Sequence, residues 1–167
     1  MRFLRIVGLA VLLALGLAAG PAAGRAGAKE PSWWLDAKAE AERYGYAVAD
    51  TAEVRRLLSG RAHVLALDVR PDYEFAQGSL HFARNFEFDL ADAQGLSEAR
   101  QKALFACLGR PTDTPVVVFC RGVFCVRSAI AARELVRLGF TRVVRYPEGY
   151  AGLVAAGLAG PERAGRR

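Results

Sequence analysis

The chain has 167 residues, 53% of them hydrophobic, which suits one domain with a real core. Its net charge of +6 raises nucleic-acid or membrane-surface binding, but the excess sits at the ends: residues 1 to 28 hold Arg2, Arg5 and Arg25 and no acid, and the tail Pro161–Arg167 carries three arginines against one glutamate. Without residues 1 to 28 the charge falls to +3 and the remaining body is nearly neutral, with no basic stripe, which excludes a nucleic-acid partner.

In chain order, Met1–Arg5 is short and basic, Ile6–Gly20 is apolar, and Pro21–Ala28 supplies small residues. This is the pattern of a secretory signal cut after Ala28, leading to a periplasmic or secreted protein that meets the membrane only through that signal. A retained anchor is the other reading, against which the apolar stretch is short and ends in helix-breaking residues. No cysteine near the cut offers a lipid attachment point. Cys107, Cys120 and Cys125 all lie beyond it, and an odd number in an exported chain leaves at least one thiol unpaired within the chain.

Residues 29–44 predict a helical extension, with Ser32 capping a helix from Trp33 to about Arg43. Of its adjacent tryptophans, Trp33 and Trp34, one is expected to pack on the domain and the other to be exposed. Residues 45–160 then alternate as α/β, and 161–167 form a flexible basic tail. Tyr46–Ala49 reads as a strand; Asp50 or Thr51 caps a helix over Ala52–Leu58; Val64–Arg70 is an apolar strand that ends in charge. Pro71 opens a brief helix that Gly78 stops, Ala83–Phe88 is a strand candidate, and Leu96–Leu108 a helix that holds Cys107 as a buried small hydrophobe. Val116–Phe119 is a strand, Ser128–Leu138 an amphipathic helix, Val143–Tyr146 the last strand and Glu148–Ala156 the last helix. Strands recurring between helices imply a largely parallel sheet covered on both faces, with ligands collecting at the carboxyl ends of its strands.

Cys120 stands at one such end. The stretch Cys120-Arg-Gly-Val-Phe-Cys-Val-Arg-Ser128 is a loop that runs into a helix, so unpaired amides and the positive end of the helix dipole point at what Cys120 carries. Such a loop holds a thiolate or an anion. Asp68 and Arg70 stand at a second strand end and are expected to pair with each other or with loop backbone; Glu74 is read likewise.

Several blocks resemble the rhodanese family. Leu67-Asp-Val-Arg70, Glu74-Phe75 and Gly78-Ser-Leu-His-Phe-Ala83-Arg-Asn85 are similar to its first motif, Val117-Val-Phe-Cys120 with Arg127-Ser-Ala-Ile-Ala-Ala132 and Leu138-Gly-Phe140 to its second, and Tyr146-Pro-Glu-Gly-Tyr150 to its last strand and turn. The resemblance spans residues 45 to 160. It implies a rhodanese-like three-layer fold, an α/β domain with about five parallel strands, and sulfur transfer through a persulfide on Cys120. Donors would be thiosulfate or a related sulfane-sulfur compound; acceptors would be a thiol or a cyanide-like molecule, with a periplasmic protein as a further partner. The pattern of Cys120, Gly122, Cys125 and Ser128 is similar to that of a two-cysteine subset of exported members, some tied to quinoprotein oxidation systems, although Val126 stands where those often have Trp. His81 and Phe82 replace a usual Pro-Gly.

Other chemistries fit poorly. Six residues separate Cys120 from Arg127 where a tyrosine-phosphatase loop needs five, and four separate the cysteines where a thioredoxin motif has two. His63 and His81 lie in no ligand cluster, so neither zinc nor another cofactor is called for. Without a base in evidence, Cys120 must be ionised by loop amides, the helix start and the cations Arg121 and Arg127, either of which could hold a sulfonate. The candidate catalytic residues are thus Cys120, Cys125 and Arg127; Arg121, Gly122, Val123, Phe124, Val126, Ser128, Asp68 and Arg70 are the candidate substrate-binding set. Cys125 is either a resolving thiol that discharges the persulfide as a disulfide or a cysteine packed under the helix. Alternatives to a sulfurtransferase are a non-catalytic binding module of the same fold and a thiol–disulfide redox protein.

Overall fold

The computed structural model describes residues 29–60 and 64–160; the signal expected at residues 1–28, His63 and the tail expected at 161–167 lie outside the described residues. Five strands, β1 (Ala47–Val48), β2 (Leu65–Asp68), β3 (Arg84–Asn85), β4 (Val116–Phe119) and β5 (Val143–Tyr146), form one sheet in the order β1-β5-β4-β2-β3. Every pairing is parallel. β4 lies at the centre because it is apolar along its whole length: all four of its residues are buried, each contributing roughly 1.5–3 kcal/mol by burial. Its register sets Phe119 between Asp68 on one side and Tyr146 on the other. Three carboxyl ends therefore converge where Cys120 follows.

Helices cover both faces. On one, α1 (Ser32–Tyr44), α4 (Glu98–Leu108) and α5 (Arg127–Arg137) supply Ala41, Leu104, Leu108, Ile130 and Leu135 to a core with Leu67, Val118 and Cys120. On the other, α2 (Thr51–Ser59) and α6 (Gly149–Ala155) pack Val54 and Leu153 against Ala66, Val117, Phe119 and Tyr146. A short α3 (Asp72–Phe75) follows β2, and a 3₁₀ turn spans Ala91–Gln94. The α/β architecture of five parallel strands between two helical layers is the one the sequence implied. Among the described residues, no helix is long and apolar enough to cross a membrane.

The departures are local. Pro31, not Ser32, precedes α1; its carbonyl takes Trp34 N and Leu35 N while Ser32 is already helical. Both tryptophans are half-exposed and meet edge to face at 5.7 Å, so neither is buried in the domain. Asp50 caps α2 by accepting Glu53 N at 2.8 Å, which frees the Thr51 hydroxyl for other partners. Ser97 caps α4, so the helix begins at Glu98 and Leu96 packs ahead of it. β1 and β3 are only two residues long, each bonded on one side at a sheet edge. Cys107 is half-buried rather than buried: Leu104 and Leu108 take the inward face of α4, and the Cys107 thiol donates to Asn85 O at 3.4 Å.

Candidate functional site

Cys120 leaves β4 in a backbone clamp. Its carbonyl accepts Tyr150 N at 2.7 Å and the Arg121 carbonyl accepts Ala151 N at 2.9 Å, so the amino end of α6 grips the root of the loop. That approach requires glycine at Gly149, where φ is +60° and a Cβ would lie 2.5 Å from Cys120 O and 2.7 Å from Gly122 N. The loop then turns through Cys125 N to Gly122 O at 2.9 Å and enters α5. Cys120 and Cys125 are joined by a disulfide with Cα atoms 6.1 Å apart, inside the ordinary range for such a bridge.

The two sulfurs have unlike surroundings. Cys120 is 1% exposed among core residues. Cys125 is half-exposed and, with Arg121, Gly122, Val123 and Phe124, lines an open recess of about 340 Å³. Phe124 at the tip is 94% exposed. The backbone N–H groups of Arg121 to Phe124 and of Val126 to Ser128 donate to no acceptor among the described residues, which leaves them available to an anion or a thiolate.

The two arginines expected to act on Cys120 are differently placed. Arg121 is held by Glu74 in a forked pair, with Nε 2.7 and 2.8 Å from the two carboxylate oxygens. This hydrogen bonding holds the Glu74 carboxyl below the usual carboxylate range and raises the guanidinium, so the Arg121 charge is largely spent. Arg127, the first residue of α5, is half-buried, and among the described residues it makes no ion pair and its Nε has no partner. Val126 is exposed beside it.

Asp68 and Arg70 lie together at the end of β2, 0% and 3% exposed. Asp68 accepts Arg70 N, Nε and Nη2, the last at 2.6 Å, and Ser79 Oγ at 2.7 Å; Arg70 also donates to Gly78 O at 2.7 Å and stacks on Tyr150 at 3.9 Å. These bonds all go to protein partners, so the pair braces the turn after β2 against α6. Pairing with each other is what the sequence suggested for them.

Ser128 is buried and does not cap α5, which begins one residue earlier after Val126. Its hydroxyl accepts Arg145 Nε at 3.2 Å and lies 3.5 Å from Cys125 O. Arg145, on β5, also donates Nη1 to Glu40 of α1 at 3.1 Å. A chain of polar contacts therefore runs from the N-terminal helix to the loop, and the sequence reading named neither Glu40 nor Arg145. An arginine in the middle of an apolar strand was the available signal, since a buried cation needs an acid. Thr51, Tyr146 and Glu148 form a second unforeseen group: Thr51 Oγ1 lies 2.6 Å from Tyr146 Oη and donates to Glu148 at 3.0 Å.

The family model for the rhodanese-like domain matches residues 50–156. No curated protein matches in sequence. Among solved structures, the single-domain sulfurtransferase RDL2 of Saccharomyces cerevisiae is 23% identical, with a TM-score of 0.53 over 67% of this chain and 91% of its own. The 30 kDa polysulfide-sulfur transferase of Wolinella succinogenes is 18% identical, TM-score 0.52, over 81% and 94%. The RPA3614 protein of Rhodopseudomonas palustris, described as a possible tyrosine phosphatase, is 20% identical, TM-score 0.52, over 83% and 100%. At such identities the likeness is one of fold.

Proposed function

Because this chain belongs to the family of rhodanese-like domains, we propose that it is a sulfurtransferase that loads a persulfide on Cys120 and discharges it through Cys125. What carries the reading is the position of Cys120, at the carboxyl end of the central strand, within bonding reach of a second loop cysteine. In the reduced protein the Cys120 thiolate attacks the sulfane sulfur of a thiosulfate-like donor; the donor's S–S bond breaks and sulfite leaves with its electron pair. Free loop amides and the Arg127 charge stabilise the thiolate and then the persulfide. A cyanide-like or thiol acceptor takes the outer sulfur directly, or the Cys125 thiolate attacks Cys120 Sγ, expelling hydrosulfide and leaving the disulfide.

The setting we infer is an exported, oxidising compartment, supported by the basic-apolar-small pattern of residues 1–28 and by a paired Cys120–Cys125. N-terminal sequencing of native material should begin near Lys29; a retained Met1 in a cytosolic fraction overturns that setting. The activity is tested by intact mass of the reduced protein after incubation with thiosulfate: a gain of one sulfur, lost in Cys120→Ala, is expected. A protein that gains none is a binding module of the same fold.

A further inference from the structure

The Cys120–Cys125 disulfide is chemically symmetric but sits asymmetrically. We propose that an external thiol reduces it by entering at Cys125 alone, with Cys120 always the leaving group. This rests on the two-cysteine cycle above and adds its reducing half, an exchange activity toward thiols. A thiolate attacks a disulfide sulfur from the side opposite the sulfur that leaves, so access behind each sulfur decides which is struck. Behind Cys120 lies the core: it is 1% exposed in the cluster that includes Leu67, Val69 and Ile130. Its backbone is pinned through Tyr150 N and Arg121 through Ala151 N, so Cys120 cannot swing outward cheaply. Cys125 instead lines the open recess of about 340 Å³ that Cys120 does not touch. It is attached to the loop tip, where Phe124 packs on almost nothing.

The charge that Cys120 carries away has donors next to it in the chain, the backbone N–H groups from Arg121 to Phe124, which are unpaired among the described residues. In the first step the incoming thiolate forms a bond to Cys125 Sγ, the Sγ–Sγ bond breaks, and its electron pair stays on Cys120. A second thiolate of the reductant attacks the reductant's sulfur in that mixed disulfide, releasing Cys125 as thiolate and the reductant as its own disulfide. Two electrons pass from two thiols to the loop. Cys120 thus regains its thiolate while Cys125 is still blocked, and can be loaded before the residue that discharges it is free.

Glutathione is a sufficient probe. The oxidised full chain carrying Cys107→Ala, mixed briefly with glutathione and quenched with excess N-ethylmaleimide, is digested with trypsin, which cuts after Arg121 and so separates the two cysteines; without that substitution the free thiol of Cys107 would share the peptide ending at Arg121 and take maleimide in any case. The expected pattern is glutathione on the Gly122–Arg127 peptide and maleimide on the peptide ending at Arg121, favoured over the reverse by roughly tenfold or more. Equal or reversed labelling overturns the proposal, as does a protein that forms no Cys120–Cys125 bond even with diamide. Sulfur uptake from thiosulfate by the reduced chain is measured separately, so failure of the sulfurtransferase reading shows in that assay and not in this one.

Discussion

Among single residues, Cys120 and Asp68 have the most to lose. Cys120→Ala is expected to abolish cyanide-trappable sulfur, whereas Cys107→Ala leaves it nearly unchanged because Cys107 lies on α4 with its thiol bonded to Asn85 O, and that thiol, pushed up by burial, is a poor nucleophile at neutral pH. Arg127→Ala should slow loading by about tenfold to a hundredfold without unfolding the domain, since it removes a charge but none of the loop amides. Persistent activity in Cys120→Ala would remove the basis for the assignment. Asp68 makes a different case, because its worth lies in what it leaves behind. Asp68→Ala strands Arg70, 3% exposed, without its counter-charge, at a cost of about 3–5 kcal/mol. Urea titrations should show a correspondingly lower midpoint, and most of the loss should return in a double variant with Arg70→Met. A single-variant loss below about 1 kcal/mol would mean that the pair does not brace the turn.

At the scale of elements, the loop depends on its neighbour. Gly149→Ala would force an L residue into positive φ and drive its methyl into Cys120 O and Gly122 N, so it is expected to cost about 2 kcal/mol or more and to displace the loop root. Thermal melting and thiosulfate loading should fall together; a variant with full loading and unchanged stability would mean that the α6 clamp is dispensable. The sequence made the strand-loop-helix unit legible because β4 is apolar throughout and apolar residues recur at helical spacing among the arginines of α5, signals that are local and periodic. It also showed the Tyr146–Tyr150 turn without saying what the turn holds, since that grip joins residues about thirty apart by backbone alone. The cap expected at Ser32 failed where the one at Asp50 held. Serine reads equally well as Ncap or as the first residue of a helix, and at α1 the Pro31 carbonyl already serves the amides of Trp34 and Leu35. The Glu40–Arg145 pair spans 105 positions, beyond the reach of any window.

For the molecule as a whole, two buried phenols set how stability changes with alkali. Burial, with the Glu40 charge adding to it and Arg145 opposing, pushes the Tyr46 hydroxyl up to about 12; Tyr146 is raised too, by burial, although its hydrogen bond with Thr51 works the other way. Unfolded tyrosines ionise near pH 10. Above that value the unfolded chain has released protons that the native protein keeps, so the unfolded state binds fewer protons and stability must fall as pH rises. The stabilisation is full below about pH 10 and is lost as the pH climbs through the folded values. Tyr46 contributes a slope of at most roughly 1.4 kcal/mol per pH unit in that window, and Tyr146 acts in the same direction. Tyr46→Phe removes the first of these. Among the described residues the Tyr46 hydroxyl has no hydrogen-bond partner, so at neutral pH the phenylalanine variant should be no less stable than the parent, sparing the burial cost of an unpaired hydroxyl. Between about pH 10 and 12 its stability should fall less steeply by about one proton's worth. Urea titrations at stepped pH check this, with Cys107→Ala in both proteins to prevent thiol exchange, and with the lysines titrating equally in each. Parallel curves for parent and variant would show that Tyr46 ionises in the native protein as it does in the unfolded chain.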